Sequence, residues 1–127
     1  MGSDDERIGS CELVRSTLTL IGEKWSMQVL FELRNGPVRF NELRRILTPV
    51  TQRMLSSSLR GLEHDGLVTR TVHATVPPQV EYALTEPGRA LNAALQHVAH
   101  WAETHGEAVV AARANHLAVT SRAPATS

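Results

Sequence analysis

Cysteine is almost absent from this chain, with Cys11 alone among 127 residues. A single thiol excludes an internal disulfide framework and fits a reducing compartment, so a cytoplasmic protein is expected. Long apolar runs are missing as well. Apolar residues make up 42% of the chain, yet no stretch approaches the roughly 20 residues of a membrane span. The first residues, Met1 to Glu6, are acidic where an export signal would be basic and then apolar. The chemistry of an enzyme is lacking too: there is no Gly-rich phosphate loop, no paired carboxylates and no nucleophile with an evident base. No enzyme and no cofactor are expected. His97, His100 and His105 invite a metal reading. On a helix the first two lie about 60° apart, but His105 lies about 140° from His100. No acid or cysteine completes a set of three or four converging ligands, so no metal site is expected.

Net charge is the last absence. The formal sum is zero, which at first argues against a polyanionic partner. Its distribution argues the other way. From Arg34 to His73 there are seven arginines (Arg34, Arg39, Arg44, Arg45, Arg53, Arg60 and Arg70) against three acids (Glu42, Glu63 and Asp65). Charge segregated in this way gives a basic face on an acidic body, and a polyanion responds to the local field. Every basic residue except Lys24 is arginine. Arginine favours bidentate contacts to phosphate or guanine, although GC-rich coding produces the same bias.

The most informative stretch is Thr51–Asp65. At 100° per residue, Leu55, Leu59 and Leu62 form one stripe, with Met54 and Ser58 at its edge. Almost opposite lie Arg53, Ser57, Arg60 and His64, with Ser56 beside them. Thr51 is placed as an N-cap and Gly66 as a helix stop. A purely solvated helix usually carries long Glu and Lys in i, i+4 pairs. This one has small hydroxyls and arginines instead, so its backbone can approach something anionic and grooved.

The rest of the chain supplies the setting. With its length the chain fits one domain. Residues 1–9 read as a disordered acidic arm, 10–107 as the folded domain, and 108–127 as a helical extension with a disordered tail from Ser121. Cys11, Val14, Leu18 and Ile21 mark a first helix, and Trp25, Val29, Leu30 and Leu33 a second, stopped by Asn35-Gly36-Pro37. Phe40, Leu43, Ile46 and Leu47 mark a short third helix, which Pro49 turns into the Thr51 helix. Two helices joined by a tight turn make a helix-turn-helix pattern. Next, Leu67–Val72 and Val80–Leu84 alternate with period two around a Pro77-Pro78 loop, the pattern of a β-hairpin wing. Thr85 caps a last helix whose Leu91, Ala94, Leu95, Val98, Trp101 and Ala102 need cover from helix one or a second copy. The fold class expected is mainly α with a small β-hairpin: a winged helix-turn-helix.

Several long motifs resemble the HxlR family of bacterial winged-helix transcriptional regulators, relatives of the MarR-like proteins. They are Cys11, Leu20–Trp25, Arg39–Leu43, Gln52–Leu55, Leu62–Val68, Val76–Thr85 and Gly88. The likeness covers roughly residues 11–105. It implies a homodimer built on the N- and C-terminal helices, here through Val14, Leu18, Leu91, Leu95, Val98, Trp101 and Ala102. It also implies recognition helices in successive major grooves, with the wings reaching backbone or minor groove. Two departures stand out: Gln79 sits where members usually carry a basic residue, and Ser56-Ser57-Ser58 is unusually small.

The expected partner is therefore double-stranded DNA. Arg53, Ser56, Ser57 and Arg60 form the candidate major-groove face, with Thr51 and Gln52 at its start. Arg53 suits guanine O6 and N7, Gln52 suits adenine or a phosphate, and Arg60 suits a phosphate. Arg39, Asn41 and Arg44 surround the start of helix three, where free amides also favour phosphate. His73 and Gln79 flank the wing tip. Cys11 has two readings: a small buried hydrophobe, or, as the resemblance implies, a sensor of oxidants, quinones or aldehydes. The nearest charges in sequence are mixed, Arg7 and Arg15 against Glu12; of these Arg15, one turn on, is the one whose position favours a thiolate. A small-molecule ligand is the other candidate effector. The competing functional class is a winged-helix interaction module whose basic face docks an acidic protein.

Overall fold

The computed structural model describes residues 3–23 and 25–122. Eight elements follow one another: α1 (Ser3–Gly22), α2 (Ser26–Glu32), β1 (Val38–Arg39), α3 (Phe40–Ile46), α4 (Gln52–His64), β2 (Val68–His73), β3 (Gln79–Leu84) and α5 (Glu86–Arg122). The chain divides into two compact units, Met1–Asn92 and Ala93–Ser127.

In the first unit the helices pack on α4. Leu55, Leu59 and Leu62 are fully buried, with Val29, Leu30, Leu33 and Leu43 around them. Each such side chain contributes about 1.5–3 kcal/mol by leaving water. Ser58 is buried with the stripe, where its small side chain lets neighbouring elements close in. Ile46, expected to face inward from the third helix, is 40% exposed, because Leu43 and Leu47 already fill that side.

Both ends of α4 are fixed by local chemistry. The Thr51 hydroxyl accepts from the Met54 backbone N–H at 3.1 Å. At the other end Gly66 takes φ +72°, a left-handed conformation that costs glycine nothing. Its N–H donates to Glu63 O, and the Leu67 N–H donates to Leu62 O, both at 2.9 Å. This satisfies carbonyls that the helix end leaves open and aims the chain into β2.

The sheet is antiparallel with strand order β1-β3-β2. Val68, Arg70 and Val72 stand opposite Leu84, Tyr82 and Val80. Val68, Tyr82 and Leu84 are buried, so this row is the core side of the wing. Arg39, Glu81 and Thr71 form a row on the other face. The sequence did not reveal β1, since two residues are too short to show an alternation.

The wing closes onto the start of α5. Thr85 donates its N–H to Leu67 O at 3.0 Å and its hydroxyl to Gly66 O at 2.7 Å. The same hydroxyl accepts from Gly88 N at 3.1 Å, capping the helix. A Cβ at Gly88 would stand 2.0 Å from Leu67 O, so only glycine fits there.

The ends of the chain differ from the sequence reading. Residues 3–9, assigned to a disordered arm, belong to α1, and α5 runs on through Ser121 and Arg122. Residues 1, 2 and 123–127 of the expected arm and tail lie outside the described residues. On α1 the residue that reaches the core is Leu20, which packs against Gly61 of α4. Cys11, Val14 and Leu18, whose spacing marks the helix, face outward within the single chain. The buried reading of Cys11 is thus wrong for the chain by itself. A periodic stripe identifies a helix without saying which body covers it.

Candidate nucleic-acid interface

With its leucines buried, α4 turns the expected residues outward: Gln52, Arg53, Ser57 and Arg60 are exposed. Arg53 and Arg60 have no ion pair or hydrogen bond among the described residues. Thr51 is exposed too, with its oxygen engaged in the cap. Ser56 is half-buried and points toward a cleft between α4 and the wing.

On α3 the arginines divide by partner. Arg44 is exposed and unpaired among the described residues. Arg45 is engaged by Glu42: its Nε donates to Glu42 Oε2 at 3.1 Å, and its Nη2 donates to Oε1. The hydrogen bond to Arg45 holds the Glu42 carboxyl below its ordinary value and raises the guanidinium in turn. Acid and base cancel, so Arg45 adds little to the positive field.

The wing tip and the start of α3 meet. Arg39 donates through Nη1 to Gln79 Oε1 across 40 positions of sequence. Both residues were expected at the interface, but not in contact. His73 is half-buried, with Nε2 3.3 Å from Glu81 Oε1, an ion pair only when the imidazole is protonated. That nitrogen lacks the alignment of a hydrogen bond. His73 therefore faces a carboxylate on the wing rather than standing free at its tip.

Between α3, α4 and the wing lies a cleft of about 510 Å³, lined among others by Arg39, Asn41, Ser56, Arg70 and Gln79. It gathers residues from all three groups of sequence candidates. It also adds Arg70, absent from those candidates. The signal was there: Arg70 interrupts the otherwise apolar row of Val68 and Val72, and it is exposed. Among the described residues no His, Cys, Asp and Glu group has a metal-binding arrangement.

The residues expected at a subunit contact are mostly open. Val14 is 57% exposed, Leu18 59%, Val98 56% and Trp101 54%. Ala102 is exposed, Leu91 half-buried and Leu95 buried, so Leu95 has little surface left for a partner. No helix among the described residues is long and apolar enough to cross a membrane.

Comparison with known proteins agrees with this geometry. A family profile of HxlR-like helix-turn-helix proteins matches residues 20–110. YdeP of Bacillus subtilis, an HTH-type transcriptional regulator, is 45% identical over 96 residues, covering 76% of this chain and 75% of that one. YybR of the same organism, also an HTH-type transcriptional regulator, is 44% identical over 104 residues, covering 82% and 83%. The structure of the redox regulator HypR in its reduced form superposes with a TM-score of 0.70 at 44% identity, covering 77% of this chain and 97% of that one. The reduced form of the transcriptional regulator YodB from B. subtilis gives 0.64 at 36% identity, covering 70% and 87%.

Proposed function

Because the chain belongs to the HxlR-like helix-turn-helix family of transcriptional regulators, we propose that it works as a homodimeric, sequence-specific repressor on a pseudo-palindromic operator. The observation that carries this reading is the outer face of α4, where exposed and unpaired Arg53 and Arg60 flank the small Ser57. Such a face enters a major groove without steric or electrostatic resistance. Arg53 reads a guanine edge, Gln52 and Ser57 read neighbouring bases, and Arg60, Arg39, Asn41 and Arg44 hold phosphates. Gln79 completes the backbone contacts from the wing, while His73 is turned toward Glu81 beside it.

A second copy covers the exposed apolar residues of α1 and α5. Two-fold symmetry then sets the half-sites about one helical turn apart, 10–10.5 bp between centres. Regulation runs through Cys11, which is exposed; the neighbour HypR is described as a redox regulator in oxidised and reduced forms. With one cysteine per chain, the products open to it are an adduct, a mixed disulfide or a bridge between subunits. Any of these acts only by favouring one spacing of the two recognition helices over another.

Selection of bound fragments from genomic DNA, with and without a thiol oxidant, tests the whole reading. A shared inverted repeat, lost on oxidation and retained by Cys11→Ser, is the expected result. Salt titration separates this function from docking on an acidic protein: a duplex binder with several phosphate contacts loses orders of magnitude in affinity between low and moderate salt. No duplex binding at low salt would overturn the proposal.

A further inference from the structure

Arg39 and Arg70 reach the cleft beside α4 from two different strands, and Ser56 adds a hydroxyl from the helix. Arg39 is already held by Gln79, so its orientation is set before any ligand arrives and less is lost in ordering it. Arg70 has no hydrogen bond or ion pair among the described residues. The acid on the rim, Glu42, is engaged by Arg45 and so does not neutralise either cation. Phe40 and Pro78 give the cleft an apolar wall. At about 510 Å³ the space is larger than one phosphate group needs. One unpaired guanidinium, a second held in place by Gln79, a hydroxyl and an apolar wall fit a phosphate that is carried on a sugar.

We propose that this cleft seats one phosphodiester of the operator backbone in each subunit, with Arg70 and Arg39 on its oxygens and the deoxyribose against Phe40 and Pro78. The proposal rests on the DNA-binding reading above and adds to it a contact residue, Arg70, and a task for the cleft. Because β2, β3, α3 and α4 all border it, a strand held there fixes wing and recognition helix in one register. Phosphate contacts of this kind position a protein on the duplex without reading sequence.

The test uses the full chain and the selected operator. Arg70→Gln is expected to lower affinity for operator and unrelated duplex by the same factor. The plot of log affinity against log salt becomes shallower by about 0.9, the release from one phosphate. Its thermal unfolding midpoint stays that of the parent, and Arg113→Gln keeps the parent slope. Operator duplexes carrying one methylphosphonate at a time then locate the contact. At one position per half-site the neutral linkage is expected to weaken the parent at least as much as Arg70→Gln does, and to cost that variant clearly less than it costs the parent, the remainder being the Arg39 contact. An unchanged slope, or full additivity at every position, overturns the proposal while leaving DNA binding intact. So does displacement of operator from the parent, but not from Arg70→Gln, by inorganic phosphate at constant ionic strength, which assigns the cleft to a free anion. Failure of the parent to bind any duplex overturns the functional reading and this proposal together.

Discussion

At the scale of single residues, partners decide which arginines are left free for an anion. Arg53 stands unpaired on the outer face of α4, while Arg45 is spent on Glu42. Arg53→Ala is expected to relax specificity at one base pair per half-site, with about 1–3 kcal/mol of discrimination lost. Arg39→Ala is expected to weaken binding to all sequences alike. Affinities for single-base operator variants separate the two, and equal effects on random DNA would reverse the assigned roles. Glu42→Gln releases Arg45, so salt titration of random duplex is expected to show tighter binding and a steeper slope. The pH dependence follows from the lowered carboxyl of Glu42. A depressed folded value keeps the pair intact above the ordinary carboxylate range and loses it only as pH falls through the lowered value. Across neutral pH Arg45 therefore stays occupied, and this pair gives DNA binding no pH dependence there.

At the scale of elements, glycines set how closely segments approach. Gly88→Ala would press a methyl into Leu67 O, and relief by shifting backbone is expected to cost about 1–3 kcal/mol, the usual range for overpacking. Chemical denaturation of the variant checks this; an unchanged midpoint would show that the first turn of α5 gives way freely. The features that shaped α4 were local, and so they were legible in the sequence: Thr51 as cap, Gly66 as stop and the leucine stripe all act within a few residues. The wing was legible for the same reason, through its alternation and its prolines. β1 was not, because Val38 and Arg39 become a strand only by pairing with Tyr82 and Glu81, far along the chain. The bond between Arg39 and Gln79, and the cleft beside it, depend on that same pairing. Helix one showed a further limit. Its stripe of Cys11, Val14 and Leu18 was visible, but its outward direction is set by Leu20 meeting Gly61.

At the scale of the whole molecule, the exposed apolar residues of α1 and α5 are where the proposed dimer is tested. Val14→Glu places a charge on a surface that the single chain leaves open. Folding of the chain is expected to persist while sedimentation shows a monomer, with operator affinity falling because one half-site no longer helps the other. A dimer unchanged by this substitution would move the interface elsewhere. One further consequence concerns the carbonyl of Leu67, which takes the Thr85 N–H and leaves no room for a side chain at Gly88. Hairpin and helix origin are clasped there and at the neighbouring Gly66 carbonyl, which takes the Thr85 hydroxyl, with little slack between them. A signal that tilts the origin of α5 must therefore swing the hairpin with it, like a rudder fixed to its tiller.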